Sequence, residues 1–462
     1  MAEGLKEIFK KYMEEAIGHE NASVAFSALE EPASVSVRLN PFKVSPPLAE
    51  GAETVPWSPH GRYLTARPSF VLDPFFHGGA YYVQDSSSMF VGQMFRRILP
   101  LVAEGKSRPV RVLDLCAAPG GKTTDLAASL REAFGSGFVL VANEVVSQRA
   151  SVLAHNAAIW GDPCIAVTSD DPSRFADMQG WFDIILADVP CSGEGMFRKD
   201  SLAREQWSED NVRLCQGRQR RIAADVWPAL AEGGVMIYST CTFNRYENDD
   251  NVGWISDNLG AEIISRDLFP DGCPEGIMET GSGFSLVPGF VRGEGQYCAA
   301  LLKTSGDGRR TSVKPQKSRF SLLQGNAARQ VAEYFTEEVS VAGREGFVKA
   351  LPAEVFRELL DLEGRLHVLS SGCAVGEFKK NALVPDPDLA LSVIFRKDSY
   401  PQAELDLDGT LSFLQGNSPV LKGFPPGVLT VCYRSLPLGF VKNLGNRCNS
   451  LFPRSRRIRL DI

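Results

Sequence analysis

The sequence predicts an α/β protein whose largest domain contains a doubly wound parallel sheet. Short apolar runs alternate with segments of helical spacing, which is typical of parallel strands joined by crossover helices. The chemically suggestive residues follow the ends of these runs, where open α/β sheets bind ligands. The predicted strands are RVLDLC (111–116), FVLVANE (138–144), CIAVTSD (164–170), FDIILADVP (182–190) and VMIYST (235–240).

The segments on either side of this sheet carry their own patterns. Apolar residues recur at helical spacing over 5–17, and Gly18 is placed to end that helix. ASVSVRLN (33–40) alternates like a strand, and YYVQDSSSMF (81–90) predicts a strand that turns into a helix. QYCAALLKT (296–304) is expected to close the central sheet.

Composition changes and Pro-rich or basic stretches predict five segments. They are an N-terminal α+β domain (1–105), the large sheet domain (106–305), a basic linker (306–319), a small mixed α/β domain (320–385) and a compact C-terminal unit (386–462).

Composition narrows the classes of function. The chain has 44% hydrophobic and 23% charged residues, no secretory signal and no run near the roughly 18 apolar residues of a membrane helix, which predicts a cytoplasmic protein. Ten cysteines without a CxxC pair and five scattered histidines predict neither disulfides nor a metal site. The net charge of −7 argues against a protein that coats nucleic acid, but 309–319 and 441–460 are basic and contain no acidic residue.

Three strand ends predict a nucleoside pocket. DLCAAPGGKTT (114–124) places a glycine pair before a helix with free amides, but has neither P-loop nor GxGxxG spacing. Glu144 ends the next strand, where an acid binds ribose hydroxyls, and Asp171 follows the third strand near the expected adenine. S-adenosylmethionine fits this pattern better than a nucleotide, because no triphosphate site is present.

Two cysteines follow the last two parallel strands, Cys191 in DVPCSG and Cys241 in STCTF. Alone, each thiol could equally be a small buried side chain. Together they fit methylation of cytosine carbon 5, in which one thiolate adds to carbon 6 and the other thiol assists release. Asp188 beside Cys191 supplies an acidic group for the nitrogen edge of the base.

These motifs resemble the signature set of the Nol–Nop–Sun family of RNA cytosine carbon-5 methyltransferases. DLCAAPGGKTT, NE, DVPCSGEGMFRKD and YSTCTF occur in the family's order and spacing. SVRLN, YYVQDSSSM and the C-terminal PLGFVKNLGNRCNSLFPRSRRIRL are also similar, so the resemblance covers nearly the whole chain and is closest to the bacterial small-subunit ribosomal RNA methyltransferase F type. It implies that the N-terminal domain (1–105) binds RNA, that the large sheet domain is a Rossmann-like class I methyltransferase domain, and that the C-terminal unit is a PUA-like RNA-binding module.

The resemblance implies a role for each site residue. Cys241 is the nucleophile, Cys191 helps to expel the product, Asp188 bonds ring nitrogen 3, and Lys122 lies near cofactor and base. The implied S-adenosylmethionine pocket comprises Cys116, Ala117, Ala118, Pro119, Gly120, Gly121, Lys122, Glu144, Asp171 and Asp188.

Three departures from the family pattern affect these assignments. DDPSR replaces the frequent Asp-Gly-Arg, so Asp170 competes with Asp171 for the adenine site. NRYEN replaces Pro-Glu-Glu-Asn after the nucleophile, and DVPC replaces Asp-Ala-Pro-Cys.

The implied substrate is RNA, most simply small-subunit ribosomal RNA or the assembled subunit, bound by a monomer. Transfer RNA, or a catalytically silent role in ribosome assembly, are the alternatives. Methyl transfer to a stacked base requires flipping it out, and phosphate contacts would supply affinity. The expected contacts come from a group of side chains rather than from any one member: Phe197, Arg198, Lys199, Arg213, Arg218, Arg220 and Arg221.

Overall fold

The computed structural model describes residues 5–304, 317–379, 382–419, 421 and 423–460. The N-terminal part begins with two helices, and the first ends at Gly18 as predicted. Three strands follow in an antiparallel sheet of order β2-β1-β3, and a long helix leads into the central sheet. The elements are α1 (Glu7–Ile17), α2 (His19–Ala28), β1 (Val35–Leu39), β2 (Gly61–Leu64), α3 (Pro74–His77), β3 (Tyr81–Val83) and α4 (Phe90–Ala103).

The next part of the chain alternates strands and helices, and the five predicted strands are confirmed with ends shifted by a few residues. Its elements are β4 (Val110–Asp114), α5 (Gly121–Phe134), β5 (Phe138–Asn143), α6 (Ser147–Trp160), β6 (Ile165–Thr168), β7 (Phe182–Asp188), α7 (Ser201–Gln206), α8 (Glu209–Val226), β8 (Leu230–Thr240), α9 (Asp249–Leu259), β9 (Ala261–Ile263), β10 (Met278–Glu279), β11 (Phe284–Leu286) and β12 (Gln296–Lys303).

The third part forms a five-stranded antiparallel sheet of order β13-β14-β15-β17-β18, but gives one strand, β16, to the central sheet. Residues 306–316 of the predicted basic linker lie outside the described residues, and the predicted domain boundaries stay predictions. The elements of this third part are β13 (Ser321–Leu322), α10 (Asn326–Ala332), β14 (Val339–Arg344), β15 (Phe347–Pro352), α11 (Phe356–Arg365), β16 (Val368–Ser371), β17 (Cys373–Lys379) and β18 (Ala382–Pro385).

The C-terminal part contains a four-stranded sheet of order β19-β20-β21-β22. Phe452 and Ile458 of the basic tail are buried in its core, so the tail is folded surface as predicted. Its elements are α12 (Pro387–Leu391), β19 (Gln402–Glu404), α13 (Leu407–Leu414), β20 (Gly427–Tyr433), β21 (Leu436–Asn443) and β22 (Cys448–Ser450).

The central sheet has the strand order β10-β11-β12-β8-β7-β4-β5-β6-β16, with β9 also pairing with β12. The five strands from β8 to β6 are parallel, as the sequence predicts. β12 pairs antiparallel with β8, but β11 and β10 continue beyond it, so the expectation that β12 closes the sheet was wrong. β4 lies between β5 and β7. The strand order therefore runs one way from β4 to β6 and the opposite way from β4 to β8, and sheets of this kind bind ligands at the point where the order reverses.

The core holds the functional edge of the sheet rigid. Val112, Leu113, Val141, Ile185 and Ile237 are fully buried on these central strands. Burying each such side chain stabilises the fold by about 1.5–3 kcal/mol. The loops at the strand ends therefore start from fixed positions.

A buried arginine attaches the N-terminal sheet to the start of α5. Arg38 of β1 donates from Nε to Gln84 Oε1 at 2.8 Å and from Nη2 to the Gly121 carbonyl at 3.1 Å. Its guanidinium also lies 4.7 Å from the centre of the Trp160 ring. Arg38 and Gln84 belong to the SVRLN and YYVQDSSSM motifs, so these motifs position the turn that opens α5.

Candidate active site

The turn from β4 to α5 forms the floor of the site. Gly120 has φ +110, a left-handed conformation that favours glycine, and a Cβ there would lie 3.2 Å from Leu153 Cδ1. The Ala117 amide donates to the Asn143 carbonyl at 2.8 Å, and the Pro119 carbonyl accepts from Asn156 Nδ2 at 2.7 Å. These bonds fix the loop and direct the start of α5 towards the site.

Two buried carboxylates leave an oxygen without a hydrogen-bond donor. Asp114 Oδ2 accepts from Thr123 Oγ1 at 2.7 Å, but its Oδ1 has no partner. Glu144 Oε1 accepts from the Val146 amide at 3.0 Å, whereas Oε2 lies 3.1 Å from an Arg149 nitrogen without hydrogen-bond geometry. The ammonium and ribose hydroxyl groups of S-adenosylmethionine are donors of the kind these oxygens require, so the residues fit that cofactor.

Asp171 and Asp170 point their carboxylates at different partners. Asp171 is exposed and caps the following turn, because its Oδ1 accepts from the amide and the hydroxyl of Ser173 at 3.0 and 2.7 Å. These two bonds lower the pKa of Asp171. Asp170 Oδ2 instead accepts from the His367 amide at 2.8 Å, beside β16. Asp171 is therefore the more accessible carboxylate, although the choice between the two stays a prediction.

Lys122 and Asp188 form an ion pair across the end of the sheet. Lys122 Nζ donates to Asp188 Oδ2 at 2.8 Å, joining the first turn of α5 to the end of β7. Burial lowers the pKa of Lys122, but the charge and hydrogen bond of Asp188, followed by Cys241, outweigh it and the net pKa is raised. The lysine therefore stays charged beside both the cofactor loop and the thiols.

The sulfur atoms of Cys191 and Cys241 lie 3.1 Å apart, so the structure brings together the two thiols predicted from sequence. The pKa of the Cys191 thiol is raised well above its usual value, first by its hydrogen bond to Cys241 and then by burial. Cys191 therefore keeps its proton and can donate it towards the Cys241 sulfur.

Comparisons with known proteins agree with this geometry. Residues 104–302 match the family model described as 16S rRNA methyltransferase RsmB/F, residues 5–86 match the N-terminal domain of 16S rRNA methyltransferase RsmF, and residues 400–458 match the methyltransferase RsmF PUA domain. A relative from Cronobacter sakazakii named ribosomal RNA small subunit methyltransferase F is 29% identical, covering 97% of this chain and 96% of its own. Another of that name, from Salmonella paratyphi A, is 30% identical and covers 93% and 91%.

The chain belongs to the ribosomal RNA small subunit methyltransferase F family. A solved structure titled as a methyltransferase homolog from Pyrococcus horikoshii is 25% identical, with a TM-score of 0.52 over 65% of this chain and 96% of that one. The structure of NSun6 from the same organism with SFG is 20% identical, with a TM-score of 0.53 over 66% and 100%, and supports the fold.

Membership of the methyltransferase F family confirms several predictions. The fold class is confirmed, with a Rossmann-like methyltransferase domain, the family's N-terminal domain and a PUA domain. Dependence on S-adenosylmethionine and methylation of RNA are confirmed with it. The roles of the individual site residues stay predictions.

Two of the expected RNA contacts were wrong. Phe197 is 3% exposed and packs against Phe9 of α1, with ring centroids 5.0 Å apart, so it cannot stack on a base. Arg198 is buried in an ion pair with Glu294 at 2.8 Å. Arg213, Arg218 and Arg221 are exposed on α8 and remain available for phosphate contacts.

The described part of the chain lacks two other structural features. No helix there is both long and apolar enough to cross a bilayer. No group of three or more His, Cys, Asp or Glu side chains within the same residues could hold a metal ion.

Proposed function

We propose that this protein transfers a methyl group from S-adenosylmethionine to carbon 5 of a cytosine in small-subunit ribosomal RNA, through a covalent adduct with Cys241. The separation of 3.1 Å between the Cys191 and Cys241 sulfurs, next to the Lys122–Asp188 pair, is the observation that carries the proposal. The names of the relatives support ribosomal RNA as the substrate.

The cofactor would be held at the ends of the parallel strands. The loop from Cys116 to Lys122 would hold its amino-acid part, Glu144 its ribose, Asp171 its adenine edge, and Asp188 would face the methyl group. When bound, S-adenosylmethionine supplies the electrophilic methyl group that carbon 5 takes. The unpartnered oxygens of Asp114 and Glu144 support this placement.

Cys241 would activate the base. Its thiolate forms a bond to carbon 6, and the electron pair of the 5,6 double bond makes carbon 5 nucleophilic. Asp188 would lie at ring nitrogen 3, and the Lys122 ammonium beside it would stabilise the negative charge that develops on the ring. Carbon 5 then gains the methyl group while it still carries its proton.

Cys191 would end the reaction. Once the Cys241 sulfur is bonded to carbon it no longer accepts the hydrogen bond that most raises the pKa of Cys191. Cys191 can then release its proton to solvent, and the resulting thiolate can take the proton from carbon 5. The electron pair left at carbon 5 restores the double bond, the sulfur–carbon bond breaks, and Cys241 leaves as a thiolate.

The first experiment combines labelled S-adenosylmethionine, the purified protein and small ribosomal subunits from cells that lack it. Wild type is compared with Cys241→Ala and Cys191→Ala, and denaturing gels detect covalent protein–RNA adducts. We expect labelled 5-methylcytosine with wild type, neither product nor adduct with Cys241→Ala, and a trapped adduct with Cys191→Ala. Methylation by Cys241→Ala but not by Cys191→Ala would overturn the assigned roles.

Substrate choice is tested in the same assay with naked ribosomal RNA and transfer RNA. Labelling of transfer RNA alone would replace the proposed substrate but keep the chemistry. No labelling of any RNA would favour a silent assembly factor. We expect the protein to act as a monomer in the cytoplasm, where ribosomal subunits are found.

A further inference from the structure

The loop that carries Cys191 holds the loop that carries Cys241. Glu194, three residues after Cys191, accepts at Oε2 the backbone amides of Phe243 and Asn244 at 2.8 and 3.0 Å. These amides belong to the second and third residues after Cys241. The Glu194 carboxylate therefore fixes the backbone beside the Cys241 sulfur.

A second carboxylate makes the reverse connection. Glu247 follows Cys241 by six residues and accepts at Oε2 the backbone amide of Ser192 at 3.0 Å. The same oxygen accepts from Gln219 Nε2 of α8 at 2.7 Å. Because Ser192 is the residue next to Cys191, Glu247 fixes the backbone beside the Cys191 sulfur.

One side-chain amide joins the two carboxylates. Asn244 Nδ2 lies 2.9 Å from Glu194 Oε1 and 2.8 Å from Glu247 Oε1. The Glu247 amide in turn donates to Asn244 Oδ1 at 2.9 Å. Glu194, Asn244 and Glu247 form one connected network, which we name the carboxylate brace.

Both carboxylates of the carboxylate brace are buried. Glu194 is 1% exposed and Glu247 fully buried, and within the described ranges neither forms an ion pair with a basic side chain. Burying a carboxylate is unfavourable unless hydrogen bonds replace its water. Burial, followed by the nearby Glu194 charge, raises the pKa of Glu247 to about 7. Connected polar networks of this kind specify one arrangement of the groups they hold.

We propose that the carboxylate brace sets the position of each sulfur separately, with Glu194 positioning Cys241 for addition and Glu247 positioning Cys191 for release. The brace residues would act as positioning residues, since their contacts are with the backbone of the catalytic loops. This inference rests on the covalent mechanism proposed above. It predicts that the two carboxylates control different steps of one reaction.

The variants Glu194→Gln and Glu247→Gln test this division. Glutamine keeps the shape of glutamate but replaces one accepting oxygen with an NH2 group, which is a donor. That group would face the N–H groups that now donate to the carboxylate, so those hydrogen bonds would be lost. A misplacement near 1 Å can cost about 100-fold in rate. We therefore expect Glu194→Gln to form the covalent adduct about 100-fold more slowly. Glu247→Gln should form it at a near-normal rate but release it slowly, so that the adduct accumulates.

A second measurement needs neither RNA nor cofactor. The oxidant diamide takes two electrons and two protons from a pair of thiols, which become a disulfide while diamide is reduced to its hydrazine. The two sulfurs are 3.1 Å apart, about 1 Å beyond a disulfide bond length. We expect both variants, and Asn244→Ala, to form the Cys191–Cys241 disulfide about tenfold more slowly than wild type, measured by mass spectrometry.

Glu363→Gln is the matched control. Glu363 is also a buried carboxylate, but it pairs with Lys349 and Ser371 away from the two thiols. This variant should oxidise at the wild-type rate even if it is less stable. Wild-type oxidation rates in all three brace variants, or equal slowing of addition and release in both glutamine variants, would overturn the proposal. If wild type methylates no RNA, the proposed function fails, while the oxidation rates still decide whether the brace positions the sulfurs.

Discussion

At the scale of single residues, a buried carboxylate at the end of β4 should set part of the pH dependence of stability. Burial raises the pKa of Asp114 from 3.8 to about 7, and the hydrogen bond from Thr123 only partly opposes it. The folded state therefore binds this proton more tightly than the unfolded state. The free energy of unfolding should fall as pH rises between about 4 and 7, by up to about 1.4 kcal/mol per pH unit from this group.

Asp114→Asn removes this contribution. Between pH 4.5 and 7, we expect the unfolding free energy of wild type to fall relative to Asp114→Asn by about 3 kcal/mol, measured by denaturant titrations at several pH values. Asp171→Asn is the control. Hydrogen bonds from Ser173 lower the pKa of that exposed carboxylate, so its contribution to stability is lost only at pH values below the usual pKa of an aspartate, outside the measured range. Parallel curves for wild type and Asp114→Asn would contradict the prediction.

At the scale of elements, the turn between β4 and α5 depends on the conformation of one glycine. Gly120 has φ +110, and an added Cβ would lie 3.2 Å from Leu153 Cδ1. We expect Gly120→Ala to destabilise the protein by about 1–2 kcal/mol and to weaken binding of S-adenosylmethionine about tenfold. Thermal unfolding and calorimetric titration would measure the two effects.

The control for this change is a glycine in an ordinary helix. Gly253 lies within α9, and a Cβ there would meet no atom within 4 Å. Gly253→Ala should leave cofactor binding unchanged and stabilise the helix by up to about 1 kcal/mol. If both substitutions had the same effect on binding, the turn would not be the cofactor loop.

The strands that carry the site could be predicted because each is a short apolar run bounded by polar residues. β16 could not, because Val368–Ser371 is short and half polar, and it pairs with β6 some 200 residues earlier in the chain. Its contact is decided by tertiary packing, which local patterns do not encode. The expectation that β12 closes the sheet failed for the same reason.

The residues of the site also differ in whether the sequence could predict them. Cys191 and Cys241 were predictable because their strands are adjacent and parallel, which places both strand ends at one edge. Phe197 was wrongly predicted to be exposed because its sequence neighbours are charged. In the structure it packs against Phe9 of α1, nearly 190 residues earlier in the chain. Glu194 and Glu247 were missed, and the only signal was an acid close after each of the two cysteines.

At the scale of the whole molecule, polar contacts attach the outer parts of the chain to the central domain. Arg131 of α5 pairs with Asp162 at 2.6 Å and with Glu337 of the third part at 3.0 Å. The amide of Val393, in the C-terminal part, donates to the Gly161 carbonyl at the end of α6 at 3.0 Å. These contacts hold the third and the C-terminal parts of the chain against the central domain.

An acidic protein must bind RNA through local basic surface. The net charge of the whole chain is −7. The C-terminal part nevertheless exposes five basic side chains, those of Arg434, Lys442, Arg447, Arg454 and Arg459. We name these residues the C-terminal basic patch. Phosphate contacts release counterions, so each contact contributes about 0.7–0.9 to the slope of log affinity against log salt.

We expect the double reversal Arg447→Glu, Arg454→Glu to weaken RNA binding and to lower this slope by about 1.5, measured by fluorescence titration at several salt concentrations. Because the patch would bind substrate and transition state equally, KM should rise while kcat is unchanged. Arg344→Glu, an exposed change in the five-stranded sheet, should alter neither value. A fall in kcat at constant KM would contradict the prediction, since it would mean that these arginines act on the reaction rather than on RNA affinity.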